Sequence, residues 1–108
     1  MNGSKARSML LVAALITSTG CCDDRALPGA LKALYSEKAS ERNKALLLIS
    51  KCGHKADSAV PRIAQLMYDE NVGVASSAAY ALRCIDSKGA RAALKSAEQA
   101  RAARRGNR

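Results

Sequence analysis

Residues 59–86 read AVPRIAQLMYDENVGVASSAAYALRCID, and the reading of this stretch decides the fold. Pro61 stands near its start, and an apolar face follows at Val60, Ile63, Ala64 and Met67. A polar turn from Asp69 to Gly73 interrupts the run, after which Ala78, Leu82 and Ile85 form a second apolar stripe. Both stripes recur at helical spacing, so the stretch is predicted to be a helical hairpin.

Working outward, the same unit occurs 33 residues earlier. Asp24, Ala26, Pro28, Tyr35, Glu37 and Ala45 recur as Asp57, Ala59, Pro61, Tyr68, Glu70 and Ala78. The apolar positions keep register too: Leu27, Ala30, Leu31 and Leu34 become Val60, Ile63, Ala64 and Met67, while Ala45, Ile49 and Cys52 become Ala78, Leu82 and Ile85. A fixed period of this length is the mark of stacked helical units. Asp24, and Asp57 or Ser58, stand where they could cap the first helix of each unit. Pro28 and Pro61 then fall in or beside the first turn, where a missing N–H costs little. Ser36 to Ser40 form the turn inside the first hairpin, and Gly53 with His54 ends its second helix. Ala90, Ala93, Leu94, Ala97 and Ala100 make a narrower stripe, predicting one closing helix from about Gly89 to Arg104. The expected architecture is all-α, a short α-solenoid of two helical hairpins plus a C-terminal closing helix over residues 24–104, followed by a basic tail over 105–108.

With these residues in view, the stretch from Ala59 to Asp86 resembles a HEAT repeat of the short bacterial type. That pattern has a Val-Pro start, an Asp at the turn, an Ala and a Leu in the second helix, and an Ile-Gly end. Ala26 to Gly53 resembles a weaker copy. The resemblance implies an architecture suited to binding other macromolecules, and it leaves the specific function open. It also implies an Arg near the start of the second helix that pairs with a turn Asp of the next unit. Arg42 and Asp69 stand at those positions, whereas Ser36 and Ala75 replace the other Asp and Arg, and Asp86 replaces the terminal Gly.

The first twenty residues read differently. Lys5 and Arg7 precede the apolar run Met9 to Ile16 (MLLVAALI), then small residues lead to Cys21. The run is far shorter than the roughly 20 apolar residues that span a bilayer, and its layout is that of a secretory signal. Ser18-Thr19-Gly20-Cys21 resembles a bacterial lipoprotein cleavage box, although that family usually has Leu where Ser18 stands. The resemblance implies a signal over 1–20, acylation of Cys21 and a short linker over 21–23. It places the mature chain in the cell envelope, facing the periplasm from the inner or the outer membrane, with an ordinary cleaved signal and a secreted or periplasmic protein as the alternative.

Composition narrows the function. There is no Phe or Trp and there are three Tyr, so few side chains bury a large area, and a deep apolar ligand pocket is not expected. The net charge of +9 falls to +7 when Lys5 and Arg7 are removed with the leader, a balance that favours anionic surfaces in general. Arg91, Lys95, Arg101, Arg104 and Arg105 concentrate it at the C-terminal end against Glu98 alone. This set is a candidate anionic-surface contact, beside the simpler reading of a solvated face favourable to the helix dipole.

The second helices carry the candidate partner-binding residues. With Ala45 at the centre of the buried stripe, Leu47 lies about 200° round the helix, together with Asn43, Ser50 and Lys51. The repeat gives Ser76, Tyr80, Arg83 and Cys84 the same placement. Leu47 and Tyr80 are apolar or aromatic where a solvated helix prefers polar side chains, which makes Asn43, Leu47, Lys51, Ser76, Tyr80 and Arg83 the expected contact face.

No catalytic constellation emerges. The sequence has no Gly-rich phosphate loop and no paired catalytic carboxylates, and His54 is the one histidine that could activate Ser or Cys. His54 and Cys52 form no paired zinc spacing, so no metal or cofactor is expected. Of the four cysteines, three remain if Cys21 is acylated; Cys52 reads as a small core residue, and a Cys52 to Cys84 bridge between units is conceivable. Two repeats are fewer than such stacks usually need, so a bound protein or a homodimer is expected to add stability. The function expected is a non-catalytic adaptor that binds another protein and is anchored to the membrane through an N-terminal lipid. An unprocessed cytoplasmic protein that binds nucleic acid through phosphate contacts is the alternative, disfavoured by the scarcity of aromatic residues for base stacking. A bilin-lyase relative is a third reading, resting on the repeat alone.

The leader makes the first prediction. Protein purified from membranes of a bacterial host should have the intact mass of a chain that starts at Cys21 and carries acyl chains; a chain that retains Met1 would overturn the envelope reading.

Overall fold

The computed structural model describes residues 22–106, and within them the protein is all-α, without strands. The signal expected over 1–20, the acylated Cys21 and the last two residues of the tail lie outside the described residues. The helices are α1 (Leu27–Ala33), α2 (Ala39–Cys52), α3 (Val60–Leu66), α4 (Val72–Ile85) and α5 (Lys88–Gly106), with a 3-10 segment over Gly53–Ala59 between α2 and α3. The bounds of α1 and α2 reappear in α3 and α4 at an offset of 33 residues, the period of the sequence. No described helix is long and apolar enough to cross a membrane.

The tight starts of α1 and α3 follow from Pro28 and Pro61, which occupy their first turns. The expected side-chain caps are corrected. Neither helix has one, because backbone groups of the preceding turn already meet the free N–H groups. Before α1, the Asp23 carbonyl accepts from Ala26 and Leu27, both at 3.1 Å, while Asp24 is drawn outward to Lys55. Before α3, the Asp57 carbonyl accepts the Val60 N–H. Side-chain caps stand instead at α4, where Asn71 Oδ1 accepts the Val74 N–H at 3.1 Å, and at α5, where Ser87 Oγ accepts the Ala90 N–H at 3.1 Å. Helix α2 ends at Gly53, whose φ of 56° is the left-handed conformation a glycine supplies without steric cost. Its counterpart Asp86 does the same for α4 with φ 48°, one of the few other residue types that tolerate this region.

The most extensive packing is between α2 and α4, which lie side by side, while α1 covers α2 and α3 covers α4. Leu34, Leu46, Ile49, Ile63, Leu82 and Ile85 are fully buried where these helices meet. Around them Ala45, Ala78 and Ala81 let the backbones approach closely. Helix α5 lies against α3 and α4 through Ala90 and Ala97, with Ala93 and Leu94 half-buried, the stripe expected of a closing helix. From Arg101 onward its side chains are exposed.

Two arginines join the hairpins. Arg42 Nε and Nη2 donate to Asp69 Oδ2 and Oδ1 at 3.0 and 3.1 Å, and its Nη1 donates to the Ser36 and Glu37 carbonyls, both at 2.9 Å. With side chains only 14% and 10% exposed, this bidentate pair is shielded from water, unlike the exposed Lys55–Asp24 and Arg91–Asp86 pairs. Arg62 donates from Nε and Nη2 to the Leu34 carbonyl at 3.2 and 3.0 Å, meeting an unpaired acceptor at the end of α1. Its guanidinium also lies 4.5 Å from the centre of the Tyr35 ring. Ser77 donates to Asn43 Oδ1 across α2 and α4.

A third link is covalent. Cys22 is bonded to Cys52 across a sequence separation of 30 residues, tying the start of the described chain to the end of α2. The conceivable Cys52–Cys84 bridge is therefore corrected, and Cys84 is a free, half-buried thiol. The geometry explains the difference: Cys52 turns toward the entering chain at its own hairpin, whereas Cys84 stands at the position equivalent to Lys51, on another face.

Burial alone would raise the pKa of Asp69, but the Asn71 N–H and the Arg42 and Arg62 guanidiniums outweigh it and leave the carboxyl below its ordinary value of 3.8. A depressed folded pKa contributes stability that is fully present above the ordinary value and is lost as pH falls through the lower, folded one. Arg42→Met should cost about 2–4 kcal/mol in urea unfolding at pH 7, because it strands Asp69 and two turn carbonyls. Wild-type stability should fall below about pH 4, and Asp69→Asn should start lower and lose this part of the acid sensitivity; equal acid profiles for the two proteins would contradict the assignment.

Candidate partner-binding groove

Leu47 and Tyr80 occupy equivalent turns of α2 and α4, because the repeat places them 33 residues apart. Side by side, the helices bring both side chains to one open groove of about 320 Å³, lined by Leu47, Ser50, Lys51 and Tyr80. Leu47 is 47% exposed and Tyr80 52%, a large accessible area for side chains of this kind. The groove has an apolar floor, a phenol able to donate or accept a hydrogen bond, and the Lys51 ammonium at its edge. Such a surface suits a side chain of another protein, with an acidic or carbonyl group within reach of Lys51.

The other expected contact residues are placed unequally. Ser76 and Arg83 are exposed on α4, one turn before and one turn after Tyr80, and flank the groove without lining it. Asn43 is half-buried, with its carboxamide oxygen engaged by Ser77, so its role is to join α2 to α4. The outward placement expected for Ser50 is corrected: Ser50 is buried, and its hydroxyl donates back to the Leu46 carbonyl at 2.6 Å. This local bond satisfies a hydroxyl that the neighbouring helix covers. Cys84 lies one turn beyond Tyr80, and its side chain, together with partial burial, holds the Tyr80 phenol above its ordinary pKa.

The basic residues of α5 do not form one patch. Arg101 and Arg104 line a recess with Met67, Tyr68 and Asp69 on the side facing the body. Arg91 donates to the Asp86 carbonyl and carboxylate, which occupies its charge locally. Lys95 and Arg105 are exposed on the outer side. Sequence reasoning singled out Leu47 and Tyr80 but passed over Tyr35, Tyr68 and Val72, which are also exposed. Tyr35 and Tyr68 are equivalent residues just beyond α1 and α3, and their recurrence at the repeat offset was the available signal. His54 is exposed on the 3-10 segment, and no group of three or more His, Cys, Asp or Glu among the described residues is arranged to hold a metal ion.

No family model, curated protein or solved structure matches the chain.

The cysteine arrangement around this groove is directly testable. Mature protein acylated at Cys21 should give one reactive thiol, Cys84, when unfolded without reductant, and three after reduction. Reduction should also lower stability by about 3–4 kcal/mol for a loop of this length. Blocked Cys84 with free Cys22 and Cys52 would refute the pairing.

Proposed function

We propose that this protein is a non-catalytic, protein-binding adaptor, a small HEAT-like α-solenoid of two hairpins closed by α5 and held at the bacterial envelope by acyl chains on Cys21. The observation that carries the binding role is the convergence of Leu47, Lys51 and Tyr80 on one accessible groove between the repeated second helices. A rigid pair of helices presents these side chains with little entropy left to lose, which favours a protein ligand over a mobile contact.

The solenoid reading is supported by helix bounds that recur at one offset and by left-handed residues Gly53 and Asp86 at equivalent ends. The Arg42–Asp69 pair supports the HEAT-like reading, since it joins the positions that the resemblance implies. Export is supported by the Cys22–Cys52 bond, because disulfides persist in oxidising compartments. The acyl chains would then begin one residue before a covalent attachment to the body, leaving almost no linker. The protein would thus sit close to the bilayer, with each buried methylene contributing about 0.8 kcal/mol to anchoring.

A photo-crosslinking residue at position 47 or at position 80, introduced in living cells, should yield the same protein adduct. The same residue at position 98, on the far helix, should not. The adduct should survive washing at high salt, as an interface centred on apolar contacts requires. Nucleic-acid adducts from α5 that vanish with salt, without protein adducts from positions 47 and 80, would overturn the adaptor reading.

A further inference from the structure

The first hairpin has a second open surface, on a different face from the groove just described. Gly29, Ala30 and Ala33 of α1 and Lys44, Ala45 and Leu48 of α2 line an apolar groove of about 280 Å³, with Glu41 at its rim. At the repeat offset these six become Arg62, Ile63, Leu66, Ser77, Ala78 and Ala81. In the second hairpin that set is the face docked onto the first: Arg62 reaches the Leu34 carbonyl, Ser77 bonds to Asn43, and the four apolar residues are buried. The first hairpin therefore presents, without a cover among the described residues, the face by which its own repeat packs.

We propose that a second copy of this chain covers it, groove to groove across a two-fold axis. A head-to-tail contact is excluded by the other end of the molecule, where α5 turns Lys95, Glu98, Gln99 and Arg101 to solvent and has no matching apolar face. A two-fold contact sets each groove on an identical one. Glu41 and Lys44, of opposite charge and three residues apart on α2, are then brought within reach of each other's counterparts across the axis, so the rim is self-complementary. Inside the rim, Gly29 and Ala33 leave the space into which Leu48 of the other copy fits. The surface at Leu47 and Tyr80 remains free, so the dimer presents two adaptor grooves.

Gly29 makes the test clean, since a Cβ built there meets nothing within 4 Å and the folded monomer has room for a side chain. The full chain as isolated should sediment as a dimer toward the upper end of about 1 to 100 μM. A zero-length crosslinker applied to a mixture of ¹⁵N-labelled and unlabelled chains should join Glu41 of one to Lys44 of the other. Gly29→Glu should raise the dissociation constant about tenfold or more while leaving the helical circular dichroism intact. Glu41→Lys should also weaken the dimer, and Glu41→Lys combined with Lys44→Glu should restore it. A monomer at every concentration overturns the proposal, and protection of α1 from hydrogen exchange in that monomer would identify residues 1–21 as the cover instead. A dimer indifferent to Gly29→Glu overturns it as well, by locating the contact elsewhere.

Discussion

The structure depends first on what the Arg42 guanidinium does. One side chain meets two carbonyls of its own hairpin turn, at Ser36 and Glu37, and the Asp69 carboxylate in the turn of the next hairpin. Without it, two turns would hold polar groups at a nearly dry junction, and the hairpins would be related only by apolar contacts, which are not directional. The pair therefore fixes register as well as contributing stability. Its counterparts are absent by substitution: Ser36 stands where the first unit would hold an Asp, and Ala75 where the second would hold an Arg. Each loss falls at an end of the stack, where there is no further unit in the described chain for that side chain to bridge. Arg62, reaching back to the end of α1 and lying over Tyr35, secures the same junction from the first helices.

Such directional links matter more here than in a larger core. The interior is built from Ala, Leu and Ile, and each Ala that allows close helix approach contributes little apolar area of its own. The Cys22–Cys52 bond compensates from the other side of the folding equilibrium, by restricting the unfolded chain over a separation of 30 residues. Helix α5 adds burial through Ala90 and Ala97 while turning a charged face outward, so one end of the stack is closed.

How much of this was legible in the sequence follows from the range of the forces involved. The helices and their period were, because apolar spacing and Pro or Gly punctuation act within a few residues and the repeat doubles each signal. Gly53 and the closing helix were legible for the same reason. The helix caps were misread because a cap depends on which backbone group the preceding turn already presents; Asp57 serves with its carbonyl, not its carboxylate. The cysteine pairing was hidden because it depends on the path of Cys22 to Arg25 across the end of α2, which no periodicity records. At the groove, Leu47 and Tyr80 were legible as apolar residues out of place on a solvated face. Asn43 and Ser50 were not, since a short polar side chain reads the same whether it faces solvent or a neighbouring helix.

The repeat also accounts for why the interesting surfaces are where they are. A stacking unit has a face toward its predecessor, a face toward its successor and lateral sides that neither covers. In this chain the successor face of the second hairpin is taken by α5 and the shared junction is sealed by Arg42 and Arg62. The lateral side of α2 and α4 carries Leu47 and Tyr80, exposed where stacking alone would be served as well by polar residues. The predecessor face of the first hairpin keeps its apolar character although no repeat stands before it among the described residues. Apolar area in those two places adds nothing to the packing of the two hairpins on each other, so its physical role lies in contacts made with something other than this fold.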